Sequence, residues 1–251
     1  ESSAEVLSIS FDGYDGELTV KEGEIVGLAG LAGSGRSSVL RTIWGTKPRS
    51  DIHLRYLGEE YKPKNPMHAL KKKIAYISED RSESGLFFGQ PIKETVLMAH
   101  RNLQRKLLVK NKSEDKLLGQ IIGEVQIKVP THECMPEALS GGNQQKLLFG
   151  RWITDEAKLL LLDEPTRGVD IKTKHEIYQR VRKMVEANNA GALVVSSELE
   201  ELVLMCDKVL IIRDGHVEDV LTGDRITENN MMAEITASGK TKQQTEDNKS
   251  V

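Results

Sequence analysis

Three short stretches carry side chains in patterns that chemistry can use. The first, Gly30-Leu31-Ala32-Gly33-Ser34-Gly35-Arg36-Ser37, spaces glycines through a loop that ends on a cation and a hydroxyl. Glycines there let successive backbone N–H groups wrap phosphate oxygens, and a helix beginning at the loop's end turns the positive end of its dipole to the same charge. Ser37 stands where a hydroxyl can ligate Mg²⁺, and Ser38 follows it. The second stretch, Ser140-Gly141-Gly142 before Asn143-Gln144-Gln145-Lys146, reads as a helix start: Ser140 can cap the first turn, and two glycines let an anion approach unpaired N–H groups. Standing alone, such a stretch is more often an ordinary capped surface helix. The third is Asp163-Glu164, two carboxylates closing the run Leu159-Leu160-Leu161-Leu162. Acids that end four leucines are rarely mere surface charge.

Each stretch needs an element to hold it. Glu24 to Gly30 reads as a strand feeding the first loop, and Val39, Leu40, Ile43 and Trp44 continue from it as a helix ending at Gly45, which gives strand, loop, helix. Leu159 to Asp163 is a near-continuous apolar run, as expected of a strand buried on both faces of a parallel sheet, and α/β folds bind ligands at the carboxyl ends of such strands. Before the first loop, residues 6–28 break into short strands at Asp12-Gly13 and Glu22-Gly23. Ile52 to Leu57 and Ile74 to Ser78 read as further strands of an antiparallel lobe. Between Ser82 and Arg151 the pattern turns helical and charged, and Leu118, Ile121, Ile122 and Val125 form a stripe that reads as core. Ile177, Val181, Met184 and Val185 mark another helix face, and Ala192 to Ser196 another buried strand. Val209 to Ile212 and His216 to Leu221 flank Asp214-Gly215 as a hairpin. Ser238 to Val251 lacks apolar residues until its last position and is expected to be disordered.

With 251 residues, 38% of them apolar and 29% charged, the chain has the composition of a globular domain with a sizeable core. A net charge of −3 gives no electrostatic case for nucleic acid, whose partners carry clustered Lys and Arg. No apolar run approaches the roughly 18 residues of a membrane span, and no charged-then-apolar leader opens the sequence. Cys134 and Cys206 stand far apart without metal-ligand spacing and read as reduced thiols. The sequence opens at Glu1 without an initiator Met, so a piece of something longer is expected.

The order of the three stretches resembles the ATP-binding-cassette (ABC) ATPases, in which a phosphate loop, a signature loop of LSGGQ type and a Walker B strand follow one another. Leu139 to Lys146 reads LSGGNQQK, and Leu159 to Asp170 reads LLLLDEPTRGVD. The resemblance implies an α/β P-loop NTPase (RecA-like) core with an antiparallel β lobe and a helical signature lobe at about residues 82–152, all within a domain spanning 1–237. It implies ATP and Mg²⁺ as ligands: Gly30, Gly33, Ser34, Gly35, Arg36, Ser37 and Ser38 on the phosphates, Asp163 with Ser37 on the metal, and Glu164 as general base. An adenine-stacking aromatic is expected near the start, with Phe11 and Tyr14 as candidates; Phe11 reads rather as a buried strand residue. Ser140, Gly141, Gly142 and Gln144 would face the ATP of a second nucleotide-binding domain, because ABC sites are composite.

Several positions depart from the pattern. Arg36 replaces the lysine, and a broad guanidinium is a poor fit for a slot shaped for a compact ammonium. Glu79 stands where the family carries Gln, which leaves it as either a solvated loop end or a modified link to the transporter contact surface. Ser197 stands where the family usually has the His that touches the terminal phosphate. With Glu79-Asp80-Arg81, LSGGNQQK, DEPTRGVD and Ser196-Ser197-Glu198, these departures resemble the C-terminal nucleotide-binding domain of bacterial ribose/galactose/xylose importer ATPases, over residues 5 to about 237. Those proteins fuse two such domains in one chain. A nucleoside-importer branch usually loses the acid pair that Asp163 and Glu164 retain. The resemblance implies an ATPase powering sugar import, peripheral on the cytoplasmic face of the membrane. Its partners would be a second nucleotide-binding domain, permease subunits and, indirectly, a periplasmic or extracellular sugar-binding protein, with no nucleic acid. It also implies a compromised site of its own beside an intact signature loop lent to the partner. The alternatives are a non-hydrolysing nucleotide-binding regulatory module, a nucleoside-type ABC importer, and an ABC domain of DNA repair or translation, which the sugar-importer pattern and the charge disfavour.

Overall fold

The computed structural model describes residues 3–81, 85–104, 111–129, 131–152 and 157–237, with positions 14, 103, 104 and 111 described by backbone alone. The stretch 238–251 and its expected disorder lie outside the described residues. The chain opens with β1 (Glu5–Phe11), β2 (Tyr14–Lys21) and β3 (Ile25–Ala29), then α1 (Arg36–Trp44), β4 (Ile52–Tyr56), β5 (Glu59–Glu60), α2 (Pro66–Lys71) and β6 (Ile74–Ile77). The helices α3 (Ile92–Gln104), α4 (Asn111–Val125) and α5 (Gly141–Gly150) follow. The remainder alternates: β7 (Leu159–Asp163), α6 (Ile171–Ala187), β8 (Gly191–Val195), α7 (Leu199–Met205), β9 (Lys208–Arg213), β10 (His216–Thr222) and α8 (Glu228–Ala237).

Two sheets result. The antiparallel one has strand order β2-β1-β4-β5, and β4 alternates buried and exposed positions as a one-sided strand should. The larger sheet has order β10-β9-β3-β8-β7-β6, parallel except for the β9–β10 hairpin. Every residue of β3, β7 and β8 is buried, because one face meets the antiparallel sheet and the other meets helices. The run Ile74–Ile77 corrects the expectation of an antiparallel lobe: it pairs parallel with β7, Tyr76 opposite Leu161. Ile74 packs with the core between the sheets while Ala75 and Ile77 join the helix side, so the strand needs cover on both faces, which an edge of the smaller sheet would not give.

Helices α3, α4 and α5 build a separate apolar cluster in which Leu118, Ile121, Ile122 and Val125 meet Val96, Leu97, Leu147 and Leu148. That cluster is the physical basis of the helical lobe. Phe11 is buried in the core between the sheets, as its strand position implied. Tyr14 lies opposite Phe11 in the β1–β2 register, and its side chain is outside the described residues. Among the described residues no helix is long and apolar enough to cross a membrane.

Candidate functional site

The loop after β3 is shaped by close approach. A Cβ on Gly30 would come within 2.4 Å of the Ile212 carbonyl oxygen, and one on Gly35, at φ +95°, within 2.8 Å of the Gly215 Cα. Both glycines are therefore required, and the β9–β10 turn is the wall they press against: the Gly215 N–H donates to the Ser34 carbonyl at 2.6 Å. Gly33 also sits at positive φ, with open space where its Cβ would be. Gly35 caps α1 in the left-handed conformation without any side-chain hydrogen bond, leaving the helix's first N–H groups for another acceptor. The Ser34 Oγ is buried with no hydrogen-bond partner among the described residues. An orphaned buried hydroxyl, a bare helix start and glycines at steric contact together fit a phosphate group.

From this loop two side chains reach across the sheet. Ser37 Oγ donates to Asp163 Oδ1 at 2.7 Å, and Arg36 Nη1 donates to the Ser196 carbonyl at 2.8 Å. Ser38 follows, half-buried on α1. Asp163 is fully buried; its other oxygen accepts from the Tyr76 hydroxyl at 3.1 Å and lies 3.9 Å from Arg41 Nη2. Burial pushes the Asp163 carboxyl above its ordinary range, and the Ser37 and Tyr76 hydroxyls oppose that shift. A hydroxyl and a carboxylate are hard oxygen donors suited to Mg²⁺, which is commonly held by one or two protein groups together with phosphates and water. Among the described residues no cluster of three or more His, Cys, Asp or Glu stands together in a way that could hold a metal ion.

Glu164 occupies a left-handed backbone position, φ +51°, with its N–H bonded to the Val195 carbonyl at 2.9 Å. Its Oε2 accepts from Ser197 Oγ at 3.1 Å. Burial raises its carboxyl above the ordinary value against hydrogen bonds from Ser197 and the charge of Arg36, which favours a base that can hold a proton. The structure thus joins Ser37 to Asp163 and Ser197 to Glu164, and it draws Arg36 toward the end of β8.

Ser140 caps α5, its Oγ accepting weakly from the Asn143 N–H at 3.4 Å. The glycines behind it are packed: a Cβ on Gly142 would meet Thr173 Oγ1 at 3.0 Å, and one on Gly141 the Gly168 carbonyl at 3.2 Å. Gln144 turns inward, its amide nitrogen donating to the carbonyls of Pro136 at 3.0 Å and Leu139 at 3.3 Å. Glu79 is ion-paired with Arg167, so its carboxylate is tied to the loop after β7. Sequence reasoning passed over Arg41 and the Tyr76 hydroxyl as partners of Asp163, and over Arg81, whose guanidinium bonds the Gly141 and Arg167 carbonyls. It also missed Glu201, buried behind Ser196. Glu79, Arg81, Arg41, Tyr76, Arg151 and Arg167 border a cleft of about 1050 Å³ between the core and the helical lobe.

Residues 15–167 match the family model described as ABC transporter. A ribose import ATP-binding protein of Bacillus cereus is 37% identical over 215 residues, covering 85% of this chain and 43% of the relative. A galactose/methyl galactoside import ATP-binding protein of Vibrio vulnificus is 33% identical over 220 residues, 87% of this chain and 44% of the relative. The chain spans less than half the length of these curated relatives. Among solved structures, an ATP-binding cassette of an ABC transporter superposes with a TM-score of 0.76 at 17% identity, over 94% of this chain and 98% of the other. A dimeric cassette in a post-hydrolysis state with ADP and phosphate gives 0.72 at 19% identity, over 86% and 98%.

Proposed function

This chain belongs to the ABC transporter family, and from that membership we propose that it is the second nucleotide-binding domain of a monosaccharide importer of ribose or galactose type. In this reading residues 1–237 form the domain, and it works at the cytoplasmic face of the membrane as a peripheral subunit. A second nucleotide-binding domain, permease subunits and, beyond them, a sugar-binding protein are its partners. The loop Gly30–Ser38 holds the ATP phosphates, Ser37 and Asp163 hold Mg²⁺, and Glu164 orients the attacking water with Ser197 beside it. Bound there, Mg²⁺ neutralises phosphate charge. Ser140, Gly141 and Gly142 present backbone and hydroxyl donors to the partner's ATP, and Gln144 supports them from behind. Glu79 serves as the link between the cleft and the loop after β7. The names of the relatives support sugar as the cargo.

The observation that carries the reading is Ser37 Oγ on Asp163 Oδ1 at 2.7 Å beneath a glycine loop with an uncapped helix start. The own site is proposed to be the weaker of a composite pair, because Arg36 is engaged by the Ser196 carbonyl rather than free to bridge phosphates. That same bond favours the second reading, a nucleotide-holding regulatory module that does not turn over. The test is ATP hydrolysis and sugar uptake by the full-length protein assembled with its permease, compared with this chain alone. Uptake of ribose or galactose that depends on MgATP is the expected result. Assembled protein that binds MgATP but never releases phosphate would leave only the regulatory module.

A further inference from the structure

Arg81 lies at the point where the chain leaves the core after β6 and before it enters the helical lobe. Its guanidinium is the meeting point of two segments distant in sequence. Nη1 donates to the Gly141 carbonyl at 3.0 Å, in the first turn of α5, and Nη2 donates to the Arg167 carbonyl in the loop after β7. Both loops approach it closely. A Cβ on Gly168 would come within 2.9 Å of Arg81 Nη2, and one on Gly141 within 3.3 Å of Nη1 and 3.2 Å of the Gly168 carbonyl. Two glycines, one from each loop, thus leave room for the guanidinium, whose fork of donors reaches both carbonyls at once.

The surroundings reinforce that arrangement. Glu79, two residues before Arg81, is ion-paired with Arg167, so the loop after β7 is held by both its side chain and its backbone. At the other end of α5, the buried Arg151 donates from Nε to the Thr95 carbonyl at 3.0 Å and from Nη2 to the Gly85 carbonyl. The connection from core to lobe is consequently fastened to both ends of α5. Arg81 and Arg151 both border the cleft between core and lobe.

We propose that Arg81 is a positioning residue that locks the start of the signature helix to the loop after the Walker B strand, so that Ser140–Gly142 and Arg167–Asp170 are presented to the partner domain as one rigid surface. This rests on the reading of the chain as one half of a composite ATPase. Arg81 touches no nucleotide in it; it acts through the Gly141 and Arg167 carbonyls. A lysine would supply charge without the fork, and so would not replace it.

The test compares wild type, Arg81→Ala and Arg81→Lys in the full-length protein assembled with its permease. Amide hydrogen exchange at 144–146, the first hydrogen-bonded amides of α5, and at 167–169 is expected to rise together by about tenfold or more in both variants, the worth of a charge-assisted hydrogen bond, while β3 and β7 stay protected. Turnover at saturating ATP is expected to fall by about tenfold or more with KM for ATP changed by less than about threefold, because a transition-state contact is displaced and ground-state binding is not. Exchange that rises in one segment only, or unchanged turnover in Arg81→Ala, overturns the proposal, as does full rescue by Arg81→Lys. Wild-type protein without turnover defeats the ATPase reading instead, and the exchange measurement then still decides whether Arg81 joins the two loops.

Discussion

The hydroxyl of Ser37 donates to Oδ1 of Asp163, 126 positions further along the sequence, at 2.7 Å. The carboxylate that receives it is fully buried, with Tyr76 on its other oxygen. A buried carboxyl raised above its ordinary 3.8 binds its proton more tightly in the folded state. Its contribution to stability is therefore fully present below that value and is lost as pH rises through the raised one.

Asp163→Asn keeps the shape and removes the charge. It should raise the melting temperature by a few degrees at neutral pH, and the gain over wild type should shrink as pH falls toward 3.8. The same variant should lose about tenfold or more of the Mg²⁺ enhancement of ATP affinity, read by calorimetry with and without EDTA. A variant less stable than wild type at pH 7 would mean that Ser37 and Tyr76 outweigh the burial.

Glu201 illustrates the opposite sign. Burial works against its charge, but Lys174 at 2.9 Å, Thr166 and Ser196 all donate to it, and its carboxyl is held below the ordinary 4.5. Its stabilising contribution is present above 4.5 and is lost as pH falls through the lowered value. Lys174→Met leaves a buried carboxylate without its cation and should cost about 3 kcal/mol in chemical denaturation at pH 7. Glu201→Gln should cost less than Lys174→Met, and its deficit should close on acidification. Equal deficits at pH 7 and at low pH would show that packing, not charge, sets the cost.

What could be read from the sequence divides along a physical line. The strand–loop–helix around Gly30–Ser37 and the buried run Leu159–Asp163 were legible because glycine spacing and apolar patterning are local. The stripe through Leu118–Val125 was legible for the same reason, and so was the Asp214-Gly215 hairpin. The placement of β6 was not, since Ile74–Ile77 is a short apolar run whose sheet is decided by what covers its faces. Arg81 and Arg151 were invisible because their partners are backbone carbonyls, which every residue offers alike. Tyr76 reaches Asp163 through the parallel pairing of β6 with β7 and Arg41 reaches it from α1, relationships absent from any sequence window.

Arg36→Lys tests why the own site is weak. In the present arrangement Arg36 Nη1 is bonded to the Ser196 carbonyl at 2.8 Å, on the side of Glu164 and Ser197. A lysine is compact enough to nest among the loop carbonyls and reach the phosphates. ATP affinity of this chain should rise by about tenfold, one charge-assisted hydrogen bond gained at the phosphates. Calorimetry on the chain alone reads it. An affinity unchanged or reduced would show that Arg36 already serves the phosphates.

The last prediction separates lending from hydrolysing. In the full-length protein with its permease, Ser140→Arg should nearly abolish ATP hydrolysis and uptake. Ser140 is exposed at the start of α5, so the new side chain would project into the space where the partner's terminal phosphate meets the cap hydroxyl and the first N–H groups. Loss of one such preorganised donor is worth about 10²–10³ in rate, well beyond the ~1 kcal/mol that a lost cap costs in stability. Ser140 serves this comparison better than Gly141, whose Cβ would press on the Gly168 carbonyl and Arg81 and so disturb the loop itself. Glu164→Gln should cost much less, because it removes the base only from the site whose Arg36 is held by Ser196. Both variants are measured at matched assembly, verified by co-purification with the permease. Equal damage from the two would mean that the Glu164 site turns over in its own right, and the asymmetric reading would then give way to two working sites.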